Sequence, residues 1–239
     1  MSRPSLCGRR AATALLVVLT AIGTAARLDA QRVALPAADS LRAVRDSFAA
    51  VAPTGIVGTM RWTLARTASG GWRVSELISV DEVLELATIS RVSAALRLEQ
   101  FTQSGVAFGR DVLSELAVNR GRLQGQVLSP DGTRLATLDV APPDGPDVTL
   151  LPALLTAVSW HDGATATWAM VRPASGTAVS VAVLCEGAES LSIRGTSLAA
   201  WRLRTTIGDQ ITRYWVSTTA PARVLAVSSE GLPFRFVAR

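Results

Sequence analysis

Few residues in this chain could carry out chemistry. The single histidine, His161, lies in Ser159-Trp160-His161-Asp162-Gly163. A Ser-His-Asp hydrolase would need it as base, but Asp162 follows too closely to orient the ring easily, and no clear nucleophile accompanies it. Gly195-Thr196-Ser197-Leu198-Ala199 lacks the last glycine of a nucleophile elbow and leads into a strand, not a helix. One histidine and, past the N-terminal segment, one cysteine (Cys185) fall short of a zinc set. Asp81, Glu82 and Glu85 lack the spacing of a calcium loop and read as a solvated turn. Glu186 and Glu189 bracket a Gly-Ala turn; a paired-carboxylate glycosidase role is conceivable there, and a solvated hairpin tip is the simpler account. No phosphate-cradling glycine loop occurs. The expectation is a protein with no catalytic residue, no metal and no cofactor.

Arginine and tryptophan carry the remaining signal. Ile207-Gly208-Asp209-Gln210 has glycine at the first central position of a two-residue loop, as a type II′ hairpin wants. That turn sets the register: Trp201 opposite Val216, Arg202 opposite Trp215, Leu203 opposite Tyr214 and Arg204 opposite Arg213. One face is then apolar and the other carries arginines. Arg202 over Trp215 suits a cation–π pair of about 0.5–1 kcal/mol. Arg204 facing Arg213 is unfavourable unless the side chains splay into water, bend to carboxylates, or hold an anion between them. Trp62, Trp72, Trp168 and Trp201 have apolar neighbours and read as core. Trp160 and Trp215 are better placed to touch a ligand, so the candidate ligand-binding set is Trp160, Arg202, Arg204, Arg213 and Trp215.

The elements that must position these residues are mainly strands. Met60, Trp62 and Leu64 alternate with Arg61, Thr63 and Ala65, and similar runs follow at about 72–74, 85–91, 95–103, 106–118, 121–129 and 133–140. The second half repeats the pattern near 164–172, 177–185, 189–194, 199–207, 210–218, 222–229 and 232–238. Ahead of them, Leu41, Val44 and Phe48 recur at helical spacing and predict a short amphipathic N-terminal helix. Between the halves, Ala141-Pro142-Pro143-Asp144-Gly145-Pro146 cannot continue a strand, and 147–158 reads as an apolar helix with Pro152 kinking it or marking its first turn. The halves also echo each other. Trp62, Arg66 and Ala68-Ser69-Gly70 match Trp168, Arg172 and Ala174-Ser175-Gly176; Ala94-Ala95-Leu96-Arg97-Leu98 matches Ala199-Ala200-Trp201-Arg202-Leu203; Ser129-Pro130-Asp131-Gly132 corresponds to Ser228-Ser229-Glu230-Gly231. The predicted fold is a duplicated antiparallel meander of about seven strands per half, forming a curved sheet or barrel around one central helix. Its expected segments are a signal peptide (1–30), an N-terminal helical segment (31–54), a first β repeat (55–140), linker and helix (141–161) and a second β repeat (162–239).

The signal peptide rests on Arg3, Arg9 and Arg10, the apolar stretch from Ala11 to Ile22, and small residues leading to Ala26 or Ala30 as cleavage points. The stretch falls short of the roughly 20 apolar residues of a membrane span. The cleaved protein is therefore expected in the periplasm or secreted, and not membrane-spanning. Cleavage after Ala30 removes four arginines and Asp29, leaving 20 basic against 18 acidic side chains, a net charge of +2. Every basic residue apart from His161 is arginine, which accounts for the high isoelectric point. The arginines are scattered singly, not gathered in a patch, which excludes nucleic acid as the expected partner. Cys185 has no intrachain partner once Cys7 is removed, so stability must come from burial.

The order of signal peptide, strand-rich half, proline linker, apolar helix and strands ending Arg213-Tyr214-Trp215-Val216 and Ala222-Arg223-Val224-Leu225 resembles a group of uncharacterised periplasmic β-domain proteins. More distantly it is similar to the half-barrels of the lipoprotein-carrier and lipoprotein-receptor superfamily. The resemblance implies a curved antiparallel sheet whose concave face, partly closed by a helix, shelters an apolar ligand such as acyl chains. No lipobox is present and no site residue is transferred. The expected function is a non-enzymatic envelope protein that binds or carries a lipid or other apolar or amphipathic molecule. The alternatives are an envelope assembly protein recognising a protein partner through a sheet edge or the arginine face, and a hydrolase using His161.

Overall fold

The structure, a computed structural model, describes residues 32–129 and 133–239. The signal-peptide reading of residues 1–30, and Pro130, Asp131 and Gly132 of the repeat, lie outside them. Among the described residues fifteen strands form one curved sheet: β1 (Arg32–Val33), β2 (Val44–Ala52), β3 (Gly55–Arg66), β4 (Trp72–Val80), β5 (Leu84–Val92), β6 (Leu98–Ala107), β7 (Arg110–Asn119), β8 (Arg122–Leu128), β9 (Leu135–Val140), β10 (Thr165–Arg172), β11 (Thr177–Ile193), β12 (Thr196–Ile207), β13 (Gln210–Ser217), β14 (Val224–Ser229) and β15 (Arg235–Ala238). The spatial order is β1-β10-β11-β12-β13-β14-β15-β2-β3-β4-β5-β6-β7-β8-β9. All neighbours are antiparallel except β1 and β10. The fold is thus mainly β, two consecutive meanders joined where the last strand of the chain, β15, pairs with β2.

Curvature has local causes. Ladders slip at Ala50/Val51, Arg91/Val92, Cys185/Ala188 and Trp215/Val216, and each bulge bends its strand and sharpens the twist. Gly105 and Gly125 sit in mid-strand at φ +137° and +150°, where an added Cβ would fall 1.8 and 1.9 Å from the carbonyl oxygens of Glu85 and Glu115. The sheet curls until its two ends meet side by side without a closing ladder. Val171 of β10 and Ala174 pack with Leu98, Phe101, Leu116, Leu123, Leu138 and Val140 of the far end. Asp147 bridges Val171 in parallel. Its buried carboxylate accepts hydrogen bonds from the Ser90 hydroxyl and, at 2.9 Å, from the Thr149 amide. Burial pushes that carboxyl up to about 6, and those two donors limit the rise.

The predicted 147–158 helix is a 3₁₀ turn (Val148–Leu150) running into α1 (Leu151–Thr156), with Pro152 in its first turn. Leu150, Leu151, Leu154 and Leu155 pack into the interior core together with Trp72, Trp160 and Trp168.

Three expectations need correction. The N-terminal helix is absent: after a single 3₁₀ turn (Ala38–Ser40), residues 44–52 form β2. Asp46, Phe48 and Ala50 point inward at period two, and the polar Asp46 disguised that alternation. The two strands expected near 177–185 and 189–194 are one, β11, because Gly187 (φ +112°) lets the chain bulge without turning back. Glu186 and Glu189 therefore flank a bulge and not a hairpin tip. Of the repeat motifs, the first is the same turn twice, with Gly70 N–H bonded to the Thr67 carbonyl at 3.0 Å and Gly176 N–H to Pro173 at 2.9 Å. The second differs, since Leu96 is left-handed in a loop and Trp201 lies in mid-strand.

Candidate functional site

The β12–β13 hairpin has the predicted register: Trp201 opposite Val216, Arg202 opposite Trp215, Leu203 opposite Tyr214 and Arg204 opposite Arg213. Leu203 and Tyr214 face the interior, while Arg202, Arg204, Arg213 and Trp215 share the outer face. Arg204 and Arg213 tolerate each other because Glu186, lifted by the β11 bulge, lies 3.7 Å from one and 3.6 Å from the other. Glu186 also receives Arg202 at 2.9 Å, Glu189 receives Arg202 at 2.8 Å, and Glu230 receives Arg213 at 3.0 Å. The Trp215 indole N–H donates to Glu189. The anion between the arginines is thus the protein's own carboxylate. Trp215 is buried among Leu191, Ile193, Ala200, Leu225 and Ala226, where the β11–β12 hairpin folds over the outer face.

Trp160 lies elsewhere, buried inside the sheet beside α1. Its N–H donates to the Leu155 carbonyl at 2.8 Å, and its ring meets Trp168 at 6.4 Å. The structure brings four of the five candidate residues into one network and leaves Trp160 in the core. His161 is exposed, its Nδ1 3.1 Å from the Asp162 carbonyl oxygen. Cys185 is buried, and that burial pushes its thiol up. Among the described residues no group of three or more His, Cys, Asp or Glu could hold a metal ion.

A different place in the interior holds a cavity: the concave face leaves a space of about 300 Å³. Period-two positions supply its walls: Asp46 and Phe48 from β2, Met60 and Trp62 from β3, Glu76 and Ile78 from β4, Thr212 and Tyr214 from β13; Leu232 and Phe234 come from the turn before β15, and Pro152 adds to the boundary. The lining is mostly apolar. Cross-strand register aligns Asp46, Trp62 and Glu76 in one row, with Phe48, Met60 and Ile78 in the next.

The polar members of that row differ in their partners. Asp46 is held by Arg223 at 2.9 Å. Glu76 has no hydrogen bond or ion pair to its carboxyl group among the described residues. It keeps some accessibility through the cavity, yet protein surrounds it, and that desolvation pushes it up from 4.5 to about 7. The Tyr214 hydroxyl is pushed well up by burial and by Glu76. The Trp62 indole N–H is buried without a partner. Sequence reading passed over Glu76 although a signal was there: it shares parity with Trp72, Val74, Ile78 and Val80, so a carboxylate stands where alternation calls for an apolar side chain.

No family model matches this chain, and neither does any curated protein. Among solved structures it is similar to the crystal structure of a β-barrel-like protein of domain of unknown function DUF1849 from Brucella abortus, with a TM-score of 0.51, 11% identity, and coverage of 83% of this chain and 95% of that one. At that identity the likeness speaks for the fold: a β-barrel-like protein.

Proposed function

We propose that this chain is an exported, non-enzymatic envelope protein that takes an apolar or amphipathic molecule into the interior of its curved sheet. The observation that carries this reading is the cavity of about 300 Å³ between β2–β5 and β13–β15, walled mainly by apolar side chains. Its size is at the small end of the roughly 300–1,000 Å³ typical of ligand pockets. It suits a ring system or a single short chain better than a two-chain lipid. A solidly packed interior would have argued against the reading; here the cavity remains beside the core cluster that holds Trp62, Trp72, Trp160 and Trp168. Export is supported by the signal-peptide pattern of residues 1–30, and the periplasmic half-barrel resemblance points the same way. Among the described residues no helix is long and apolar enough to cross a membrane.

The test is mass spectrometry of an organic extract of the protein, purified without detergent from a host that exports it. A stoichiometric apolar molecule supports the reading. A clean extract, together with failure of the folded protein to bind apolar dyes, refutes it.

The assembly-protein reading has one observation of its own: β9 pairs on one side only, and its Leu135 is 51% exposed. Such an edge can accept a strand from a partner. Loss of a co-purifying protein on placing lysine at Leu135 would favour it.

A further inference from the structure

We propose that the cavity selects a cationic ligand, an apolar body ending in an ammonium group, with the Glu76 carboxylate as its anchor. This inference rests on the cavity-binding reading and names the chemistry of the occupant.

The argument is one of charge and of unmet partners. The lining contains two carboxylates, Asp46 and Glu76, and no basic side chain. The one cation that reaches this row is Arg223, which comes from the segment before β14 and engages Asp46 at 2.9 Å. Glu76 is left over. A half-buried carboxylate walled by protein is ordinarily paired or hydrogen-bonded, because an unpaired one loses much of its hydration for nothing. The groups that face it do not supply the pairing. From β3 comes Trp62, whose indole N–H is buried and itself without a partner. From β5 comes Thr88, whose hydroxyl accepts a hydrogen bond from Gln103 at 3.2 Å. Across the interior, Tyr214 of β13 keeps its proton, held in part by Glu76 itself, but its hydroxyl makes no hydrogen bond to Glu76. Asp46 on β2 is of like charge, and Pro152 of α1 offers no donor.

An ammonium group satisfies Glu76 where the alternatives do not, although, having only donors, it leaves the Trp62 N–H unmet. It neutralises Glu76 in a low-dielectric setting, where such a pair is stronger than in water. A carboxylate or phosphate head would meet two acids and no base. A hydroxyl head would give Glu76 one hydrogen bond and leave the charge unpaired. The apolar part of the ligand would lie against Phe48, Met60, Ile78 and Phe234.

A pH signature follows. Glu76 titrates near 7 in the free protein, and only its ionised form pairs with the ligand. Affinity for an ammonium should therefore rise about tenfold from pH 6 to pH 8, as the ionised fraction grows. It should then stay level up to pH 9, below the ordinary amine range near about 10.4.

The experiment measures binding of octylammonium, octanol and octanoate by calorimetry or by tryptophan fluorescence, with the purified protein at pH 6 and pH 8. The expected result is that octylammonium binds at least about tenfold more tightly than octanol at pH 8, with octanoate weakest. Glu76→Gln should abolish that preference while octanol binding persists. If Glu76→Gln does not fold, the pH profile of the unaltered protein decides, and an octylammonium affinity that is flat between pH 6 and pH 8 overturns the proposal. Equal binding of the three heads, or preference for octanoate, also overturns it and leaves the cavity reading standing. Binding of none removes both.

Discussion

Replacing Glu76 by glutamine should make the protein more stable at alkaline pH and leave it nearly unchanged at acid pH. In the unfolded chain this carboxyl titrates near 4.5, and in the folded protein near 7. The native state therefore holds its proton more tightly. The stability this contributes is complete below about 4.5, erodes as pH rises through about 7, and is gone above it. At about 1.36 kcal/mol per pH unit, the span costs the native protein up to about 3 kcal/mol. Glutamine has the same shape and never ionises, so Glu76→Gln lacks this descending arm. At pH 8 the variant should exceed the parent by up to about 3 kcal/mol, which for a chain of this size is about 6–12 °C in Tm. At pH 4.5 the two should nearly coincide. Asp147, raised to about 6, adds a similar acid-side arm. It sits at the seam beside Ser90 and Val171 and is common to both proteins, so it cancels in the difference. Urea unfolding of both proteins at half-unit steps from pH 4.5 to pH 8.5 reads the effect directly. A stability difference independent of pH, or a parent that gains stability on alkalinisation relative to the variant, would refute the placement of Glu76 as an unpaired, half-buried carboxyl.

Three other outcomes are expected. Gly125→Ala should cost at least about 2 kcal/mol, since its φ of +150° excludes a side chain and the new Cβ would meet the Glu115 carbonyl oxygen; an unchanged urea midpoint would contradict the bend at β8. Glu186→Gln should cost about 1–2 kcal/mol by leaving Arg204 facing Arg213 without the carboxylate between them. That loss should shrink in 1 M salt, where the arginines are screened, and a loss insensitive to salt would point to packing instead. Cys185 should react with a thiol reagent only as fast as the protein opens, because it is buried and its thiol is pushed up; rapid labelling of the native protein would place it at the surface.

Much of the architecture was legible along the chain. Alternation located most strands, and the Ile207–Gln210 turn set four cross-strand pairs that the structure reproduces. For Pro152 the sequence left a kink or a first-turn position open, and the structure decides for the first turn, which needs no amide donor. The failures fall where a polar residue occupies an inward position. Asp46 made β2 look helical, since removing one member of an alternating set leaves Leu41, Val44 and Phe48 at helical spacing. Its cost is met by Arg223, 177 residues away in sequence, which no local pattern reports. Glu76 escaped notice for the same reason. The arginine face was read correctly as a register, but its counter-charge, Glu186, was assigned to a hairpin tip until the β11 bulge placed it between Arg204 and Arg213.

The sequence by itself determined most of the strand content and the principal hairpin, because side-chain alternation and turn chemistry are properties of residues a few positions apart. Only the tertiary structure decided that β15 closes on β2, that tryptophans and α1 pack in the interior, and that Glu76, Tyr214 and Trp62 come together around the cavity. Those placements depend on how far the sheet curls. Bulges, mid-strand glycines and packing between its two ends set that curl jointly, and their sum is not written in any single segment.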